Sequence, residues 1–388
     1  MKALPQRAAS RTHHTRQRPS TPSPRIPSPM AKSFKIGFIG TGGISHAHAT
    51  GFSKVEGVEI VAGCDINPKA LDSFCEKWGK DIRRYSDYKE MLKKEKELDG
   101  ISVCTPNGVH CAPTIAALKA GKHVIVEKPM AMSAKEAKAM QDAATKAKKH
   151  LTIGFQWRFD HRTQMIRKQI EAGEFGKILF VRVQALRRRG IPNWGVFGRK
   201  EMQGGGPMID IGVHCTEMAH YMMGSPKPIS ATGNCWTYIG DKPSQVASQW
   251  PNWDYKTYTV EDLAAGMVRF ENGAMMSIEA SFCAHIEKDV WNVQIMGEKG
   301  GAVWETGQVF KDANGFMWNS QPASYGAGGG GKDGLDWSNI FNTKMRNFVE
   351  CSRDGKPDIA DGKYGVMVQQ ILDGIYASAE AGKEVVIK

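Results

Sequence analysis

The stretch GFIGTGGISHAH, residues 37–48, decides how this chain is read. It closes a short apolar run, FKIGFIG (34–40), and opens a helix-compatible segment. Gly40 permits a tight turn, and Gly42 lets the backbone approach a pyrophosphate. Gly43 and Ile44 stand at the start of the following helix, whose free N–H groups and dipole attract an anion. Ser45 occupies the position where the strict dinucleotide fingerprint has Gly or Ala. Alone, the stretch is equally compatible with a plain strand-to-helix corner. Asp65 adds a second mark: it ends the next apolar run, 25 residues after Gly40, where an acid accepts hydrogen bonds from the adenosine ribose. A carboxylate there repels a 2′-phosphate, and Ile66 and Asn67 bring no arginine. NAD is therefore expected over NADP, with Lys69 leaving NADP open.

Outward from this turn, apolar runs alternate with helical patterns. VEIVAGCD (58–65), DGISVCTP (99–106), KHVIVEKP (122–129) and LTIGFQW (151–157) read as strands. DYKEMLKKEKEL (87–98) and SAKEAKAMQDAATKAKKH (133–150) read as helices. Buried strands alternating with helices imply βαβ units and an α/β, doubly wound parallel sheet over residues 33–154. Residues 155–388 read as a second domain. AAGMVRF, GAMMSIEASF and VWNVQIMG are its successive strands, with Asn272-Gly273 as a hairpin turn. The Gly-rich GAGGGGKDG (326–334) has no strand-to-helix context and reads as a flexible loop.

Composition bounds the rest. The chain has 388 residues, 41% hydrophobic and 24% charged, which is ordinary for a globular protein. Half of its net charge of +12 comes from Lys2, Arg7, Arg11, Arg16, Arg18 and Arg25, in a 29-residue start with no acidic residue. No basic helix or aromatic-basic alternation marks a nucleic-acid groove. That start also holds six prolines and almost no large apolar side chain. It cannot offset chain entropy by burial, so residues 1–32 read as a disordered tail or a mis-assigned start ahead of Met30. No apolar run of about 18 residues exists to span a membrane. Eight scattered cysteines without a C-x-x-C pair argue against zinc and for reduced thiols in a cytoplasmic protein. No metal site is expected.

Several segments carry a family likeness. CTPNGVH (104–110) and GKHVIVEKPMA (121–131) are followed by QWRFD (156–160), EAGEFGKILFVRV (171–183) and GGGPMIDIGVHCTEMAHYMMG (204–224). VEDLAAGMVRFENGAMMSIEAS (260–281) and GIYASAEAGKEVVIK (374–388) complete the series. Over residues 34–388 the chain resembles the glucose–fructose oxidoreductase, inositol dehydrogenase and rhizopine-catabolism family, Gfo/Idh/MocA. The resemblance implies a Rossmann domain and a C-terminal α/β domain whose large, mostly antiparallel sheet keeps one open face. It also implies a homodimer or homotetramer built through that face.

Hydride transfer from a carbinol needs a facing nicotinamide, a base for the hydroxyl proton and a cation for the developing alkoxide. Lys128, in Glu127-Lys128-Pro129, ends a strand of the parallel sheet, where ligands bind. The resemblance implies that its ammonium contacts the reacting hydroxyl, and admits a cis bond before Pro129. Asp210 and His214 lie four apart, on one face of a helix. The imidazole titrates near neutrality; by resemblance His214 exchanges the proton and Asp210 supports it. Thr105, Pro106, Asn107 and Glu127 border the cofactor. His110 either joins them or packs the next helix, and His46 and His48 read as ordinary packing. Arg158 is a candidate contact to cofactor or substrate. Arg188, Asn193 and Trp194, in the loop 187–206, suit a hydroxylated ring.

These features point to an NAD-dependent dehydrogenase acting on a secondary alcohol or ketone of a sugar, cyclitol or sugar derivative. Two alternatives stay open: a lyase or glycosidase that retains NAD and uses transient oxidation, and a nucleotide-responsive regulator without catalysis. The presence of Lys128, Asp210 and His214 together argues against the regulator.

Overall fold

Residues 33–248, 250–321 and 337–388 are described by a computed structural model. The expected tail (1–32) and the Gly-rich loop (326–334) lie outside the described residues, Lys32 included.

The alternating runs form the expected units. In chain order they are β1 (Phe34–Ile39), α1 (Gly43–Phe52), β2 (Val58–Cys64), α2 (Pro68–Trp78), β3 (Arg83–Tyr85), α3 (Tyr88–Lys94), β4 (Gly100–Val103), α4 (Cys111–Lys119), β5 (His123–Val126), α5 (Ala134–Ala147) and β6 (Leu151–Ile153). The six strands lie in the order β3-β2-β1-β4-β5-β6, every pair parallel. The order reverses between β1 and β4, which opens the crevice where doubly wound sheets bind ligands. Local chemistry sets the helix starts. Asn67 accepts from the Lys69 N–H, with Pro68 at the first helical position of α2. Ser133 accepts from the Glu136 N–H while Glu136 accepts from the Met132 N–H, fastening α5.

The remainder continues as α6 (His161–Glu171), β7 (Ile178–Leu186), α7 (Lys200–Gln203), α8 (Val213–Met222), β8 (Pro228–Trp236), β9 (Leu263–Phe270), β10 (Met275–Ser281), β11 (Val290–Gly297), β12 (Gly300–Val303), β13 (Gln308–Ala313), β14 (Phe316–Ser320), α9 (Trp337–Asp354), α10 (Gly362–Ala381) and β15 (Val385–Val386). A nine-stranded sheet runs β14-β13-β12-β11-β7-β10-β9-β8-β15. Among the described strands only β7 and β10 pair in parallel. Asn272-Gly273 does turn the β9–β10 hairpin, with Gly273 at φ +84°. Side chains alternate as a half-covered sheet requires: Val181, Val183, Ala264, Val268, Met276 and Ile278 are buried on the α10 side, while Arg182, Gln184, Met267, Ser277 and Glu279 occupy the opposite face.

Two cores hold the first sheet. On one face, Met91, Leu92, Ala117, Leu118, Ala137 and Met140 of α3, α4 and α5 join an apolar cluster that continues into the second sheet. On the other face, Phe34, Phe38, Phe52 and Phe74 meet Met345, Phe348 and Val349 of α9. The Phe34 and Phe348 rings stand edge to face at 6.0 Å. A helix nearly 200 residues beyond β6 thus seals the dinucleotide half. Among the described residues no helix is long and apolar enough to cross a membrane.

Candidate active site

The glycine turn is built for two different reasons at its two ends. Gly40 has φ +85°, and a Cβ there would stand 2.7 Å from the Cys104 carbonyl and the Thr105 nitrogen. Only glycine allows β1 and β4 to end this close together. At Gly42 and Gly43 a Cβ would meet nothing within 4 Å. There the glycines keep space open above the start of α1. Gly42 is the N-cap, with no side-chain cap and no acidic residue in the first turn. The amides of Gly43 and Ile44 are therefore left for an anion. Ser45 turns inward, and its Oγ donates to the Gly42 carbonyl at 2.6 Å. That explains a hydroxyl where the fingerprint has a smaller residue. Asp65 locks the turn: Oδ2 accepts from the Thr41 N–H at 2.7 Å and from its hydroxyl at 3.1 Å, and Oδ1 from the Asn67 N–H at 2.8 Å. A clear cradle lined by helix N–H groups, with a carboxylate at the end of β2, fits a dinucleotide.

Lys128 follows β5 and precedes Pro129 across a cis bond. Its Nζ donates to the Asp210 main-chain oxygen at 2.9 Å and to Asp210 Oδ1 at 3.0 Å. An ammonium has three N–H donors, so one remains. Asp210 lies on a π-helical turn, Met208–Gly212, that runs directly into α8 and His214. Such turns concentrate at functional sites. Glu261 fixes this one: its buried carboxylate accepts from the N–H groups of Gly206 (2.9 Å) and Met208 (3.2 Å) and from Tyr376 Oη–H (2.8 Å). Gly212 lies against Ala280 of β10.

His214 is 9% exposed, and its Nδ1 is buried without a hydrogen-bond partner. Trp291 stands 5.9 Å from its ring, backed by Trp157 and Trp304. Burial in this wall, followed by the charge of Lys128, holds its pKa well below 6.5. His214 is thus a neutral imidazole at pH 7, able to accept a proton. The structure brings Lys128, Asp210 and His214 together from the turn after β5, the π-helical turn and the start of α8.

Other expected residues take varied places. Thr105 Oγ1 donates to the Val109 carbonyl, and Pro106 opens the short turn Asn107–Val109. Asn107 Nδ2 reaches the Gln203 carbonyl of α7 at 3.2 Å. His110 is buried, with Nδ1 2.8 Å from the Pro129 carbonyl and Nε2 2.9 Å from the Thr105 carbonyl. It braces the two turns from beneath, which is the packing alternative. Glu127 is also turned inward, toward His48 and Lys344, instead of bordering the crevice.

Arg158 corrects its expected role. It is fully buried, paired with Glu217 at 2.8 Å and bonded to the Ile359 carbonyl, with Phe155, Tyr221 and Tyr364 around the guanidinium. Its side chain has no solvent exposure, and its Nη2 is buried without a hydrogen-bond partner among the described residues. Arg188 also turns away: its N–H donates to Asp289 and its side chain to the Glu287 carbonyl. Its neighbour Arg187 takes the inward position, 4.9 Å over Trp250 and bonded to the Gly190 carbonyl, with its charge acting on both Asp210 and His214. Strand parity was the missed signal. Val181, Val183 and Ala185 are buried, and Arg187 continues that odd-numbered series past the end of β7. Asn193 donates to the Pro251 carbonyl. Trp194, half exposed, stands edge to face on Trp250 at 4.7 Å. Among the described residues no cluster could hold a metal ion.

An anion cradle at one strand end, with a cation and a neutral imidazole two strands away, defines a dinucleotide-dependent oxidoreductase. Residues 34–155 match the family described as oxidoreductases with an NAD-binding Rossmann fold, and residues 163–303 match the Gfo/Idh/MocA C-terminal domain. The chain belongs to the Gfo/Idh/MocA family. It is 36% identical over 354 residues to D-glucoside 3-dehydrogenase of Escherichia coli, covering 90% of this chain and 97% of that protein. It is 26% identical to glucose-6-phosphate 3-dehydrogenase of Bacillus subtilis, over 87% of this chain and 94% of that one. Its fold is that of levoglucosan dehydrogenase solved with NADH, at a TM-score of 0.78 and 23% identity, over 92% of this chain and 100% of the other.

Proposed function

We propose that this protein is an NAD-dependent dehydrogenase that oxidises a ring hydroxyl of a glucose-configured sugar or glycoside, or reduces the ketone in reverse. One observation carries the reading: Lys128 Nζ is held by two Asp210 oxygens with a donor to spare, beside a neutral His214. The names of two relatives support oxidation at the 3-position.

Gly42, Gly43, Ile44 and Asp65 would hold the dinucleotide, whose nicotinamide supplies the hydride acceptor. Lys128 directs its free N–H at the substrate oxygen and stabilises charge as it develops. His214 accepts the hydroxyl proton, and Asp210 keeps the ammonium in place. Arg187, Asn193, Trp194 and Trp250 are the residues placed to receive the sugar beyond the reacting carbon. Assembly through the face bearing Gln184, Met267 and Glu279, and a cytoplasmic setting suggested by eight free cysteines, belong to the same reading.

The test is a panel of glucosides, free hexoses, anhydrosugars and inositols with NAD or NADP, following reduced cofactor by absorbance. Stoichiometric NADH with a 3-keto product is the expected result. Substrate consumed without net NADH would support the NAD-retaining lyase or glycosidase instead.

A further inference from the structure

Glu127 carries a charge that the proposed chemistry does not use. It is 6% exposed and directly precedes Lys128. Its Oε1 accepts from Lys344 Nζ at 2.7 Å and from His48 Nε2 at 2.6 Å, and its Oε2 accepts from the Lys128 N–H at 3.2 Å. Lys344 comes from α9 and is completely buried, with Nζ 4.3 Å from the Phe341 ring. Gly154, just after β6, leaves the necessary room, since a Cβ there would stand 2.6 Å from Glu127 Oε1. His48 lies on α1, and its Nδ1 meets Ser102 Oγ of β4 at 2.8 Å. The helix of the glycine turn, the strand of Lys128 and a helix from the far end of the chain therefore converge on one carboxylate.

The charges settle which group does what. Burial alone would raise the Glu127 pKa, but Lys344 and His48 override it and hold it well below the usual range. Burial, then Lys344, push His48 down to about 4. His48 is therefore neutral, donating from Nε2 to Glu127 and accepting from Ser102 at Nδ1. Around the carboxylate stand Lys344 of α9, His48 of α1, Ser102 of β4 with Cys104 just beyond it, and Lys128 itself. A buried anion without a partner takes up a proton or draws in the nearest cation. Without Lys344, the carboxylate keeps only His48 and the Lys128 main-chain N–H as hydrogen-bond donors among the described residues, and no ammonium is bonded to it.

We propose that Lys344 is a positioning residue for hydride transfer: by neutralising Glu127 it fixes the end of β5 and leaves the Lys128 ammonium to Asp210 and the substrate oxygen. This rests on the reading of Lys128 as the group that meets that oxygen. The same two charges also reach His214 with opposite sign, Glu127 raising its proton affinity and Lys344 lowering it. While Glu127 stays ionised, loss of Lys344 therefore moves the acidic limb of the kcat/KM profile toward higher pH.

The experiment compares Lys344→Met, Glu127→Gln, the double variant and Lys128→Met, recording kcat, KM for each substrate, pH profiles and Tm. In Lys344→Met we expect kcat to fall by about tenfold or more and the acidic limb to rise by at least about half a pH unit. In the double variant, where both charges are gone, the limb returns toward its original position. A purely structural lysine would lower Tm without moving the limb. A folded Lys344→Met with unchanged kcat and limb, or a double variant as shifted as the single one, overturns the proposal. If Lys344→Met does not fold, the near-isosteric Glu127→Gln decides: reduced kcat supports the proposal and native kcat ends it. Lys128→Met separates the two readings. If it stays active, the assignment of Lys128 fails; if it is inactive while Lys344→Met is native, only the role of Lys344 fails.

Discussion

Lys128–Asp210 and Arg158–Glu217 are both cation–carboxylate pairs, 3.0 and 2.8 Å apart. The first keeps side-chain exposures of 17% and 11%, while the second has none on either side. Lys128 retains one N–H not taken up by Asp210, and partial exposure. Arg158 is enclosed by three aromatic rings and a carbonyl. Charge pairing therefore does not distinguish a working site from an internal strut; residual access does. Burial pushes Glu217 up to about 7 even with Arg158 beside it, as expected where desolvation outweighs attraction.

The largest test of this contrast removes each cation in turn. Lys128→Met should lower kcat/KM by about 10²–10³-fold, the usual loss of one transition-state donor, with Tm nearly unchanged. His214→Ala should lower it by about 10²–10⁴-fold, as for a general base. Because His214 is held well below 6.5, it stays deprotonated down through that value. The wild-type kcat/KM should then stay flat from pH 8 to 6.5 and fall only in more acid solution. A limb centred near 7 would mean that the imidazole is not neutral in the free enzyme. Arg158→Met should do the opposite of Lys128→Met. It strands a buried carboxylate and should reduce stability by about 3–5 kcal/mol, read by denaturant unfolding. The protein that remains folded should keep its KM values. Glu217→Gln, which preserves shape and removes the charge, should be milder.

The same distinction explains what could be read from the sequence. The dinucleotide half was legible because buried parallel strands are short apolar runs, and because Gly40 and Asp65 mark strand ends. β3 was not, since Arg83-Arg84-Tyr85 has no apolar pattern and is a strand only by pairing with β2. Lys128, Asp210 and His214 were legible through a family likeness and the i,i+4 spacing, although the turn carrying Asp210 is π-helical. Lys344 and Glu261 were not. Each acts across more than 50 residues of chain, on a group no local pattern links to it. Arg158 looked functional because charge type is visible in a sequence and enclosure is not.

The glycine turn offers a smaller contrast. Gly40→Ala would drive a Cβ into the Cys104 carbonyl at a positive φ, and should destabilise the fold. Gly42→Ala meets nothing in the protein, so Tm should hold. Its methyl would instead occupy the cradle, and NAD affinity should fall by about tenfold, close to 1.4 kcal/mol, as read by calorimetry. Unchanged affinity would place the pyrophosphate elsewhere.

The smallest expected effect separates Arg187 from Arg188. Both are arginines at the exit of β7, and only Arg188 was expected from the sequence to meet the sugar. Arg188 is tied to Glu287 and Asp289 on the outside. Arg187 lies inward over Trp250, and its charge favours the proton-free form of His214. Arg187→Ala should therefore raise the sugar KM several-fold, about 1 kcal/mol of binding, and lift the acidic limb slightly. Arg188→Ala should change neither. If the two variants behave alike, strand parity is not what selects the residue facing the substrate, and the inward loop wall of Arg187, Trp250 and Trp194 is packing rather than a sugar-binding surface.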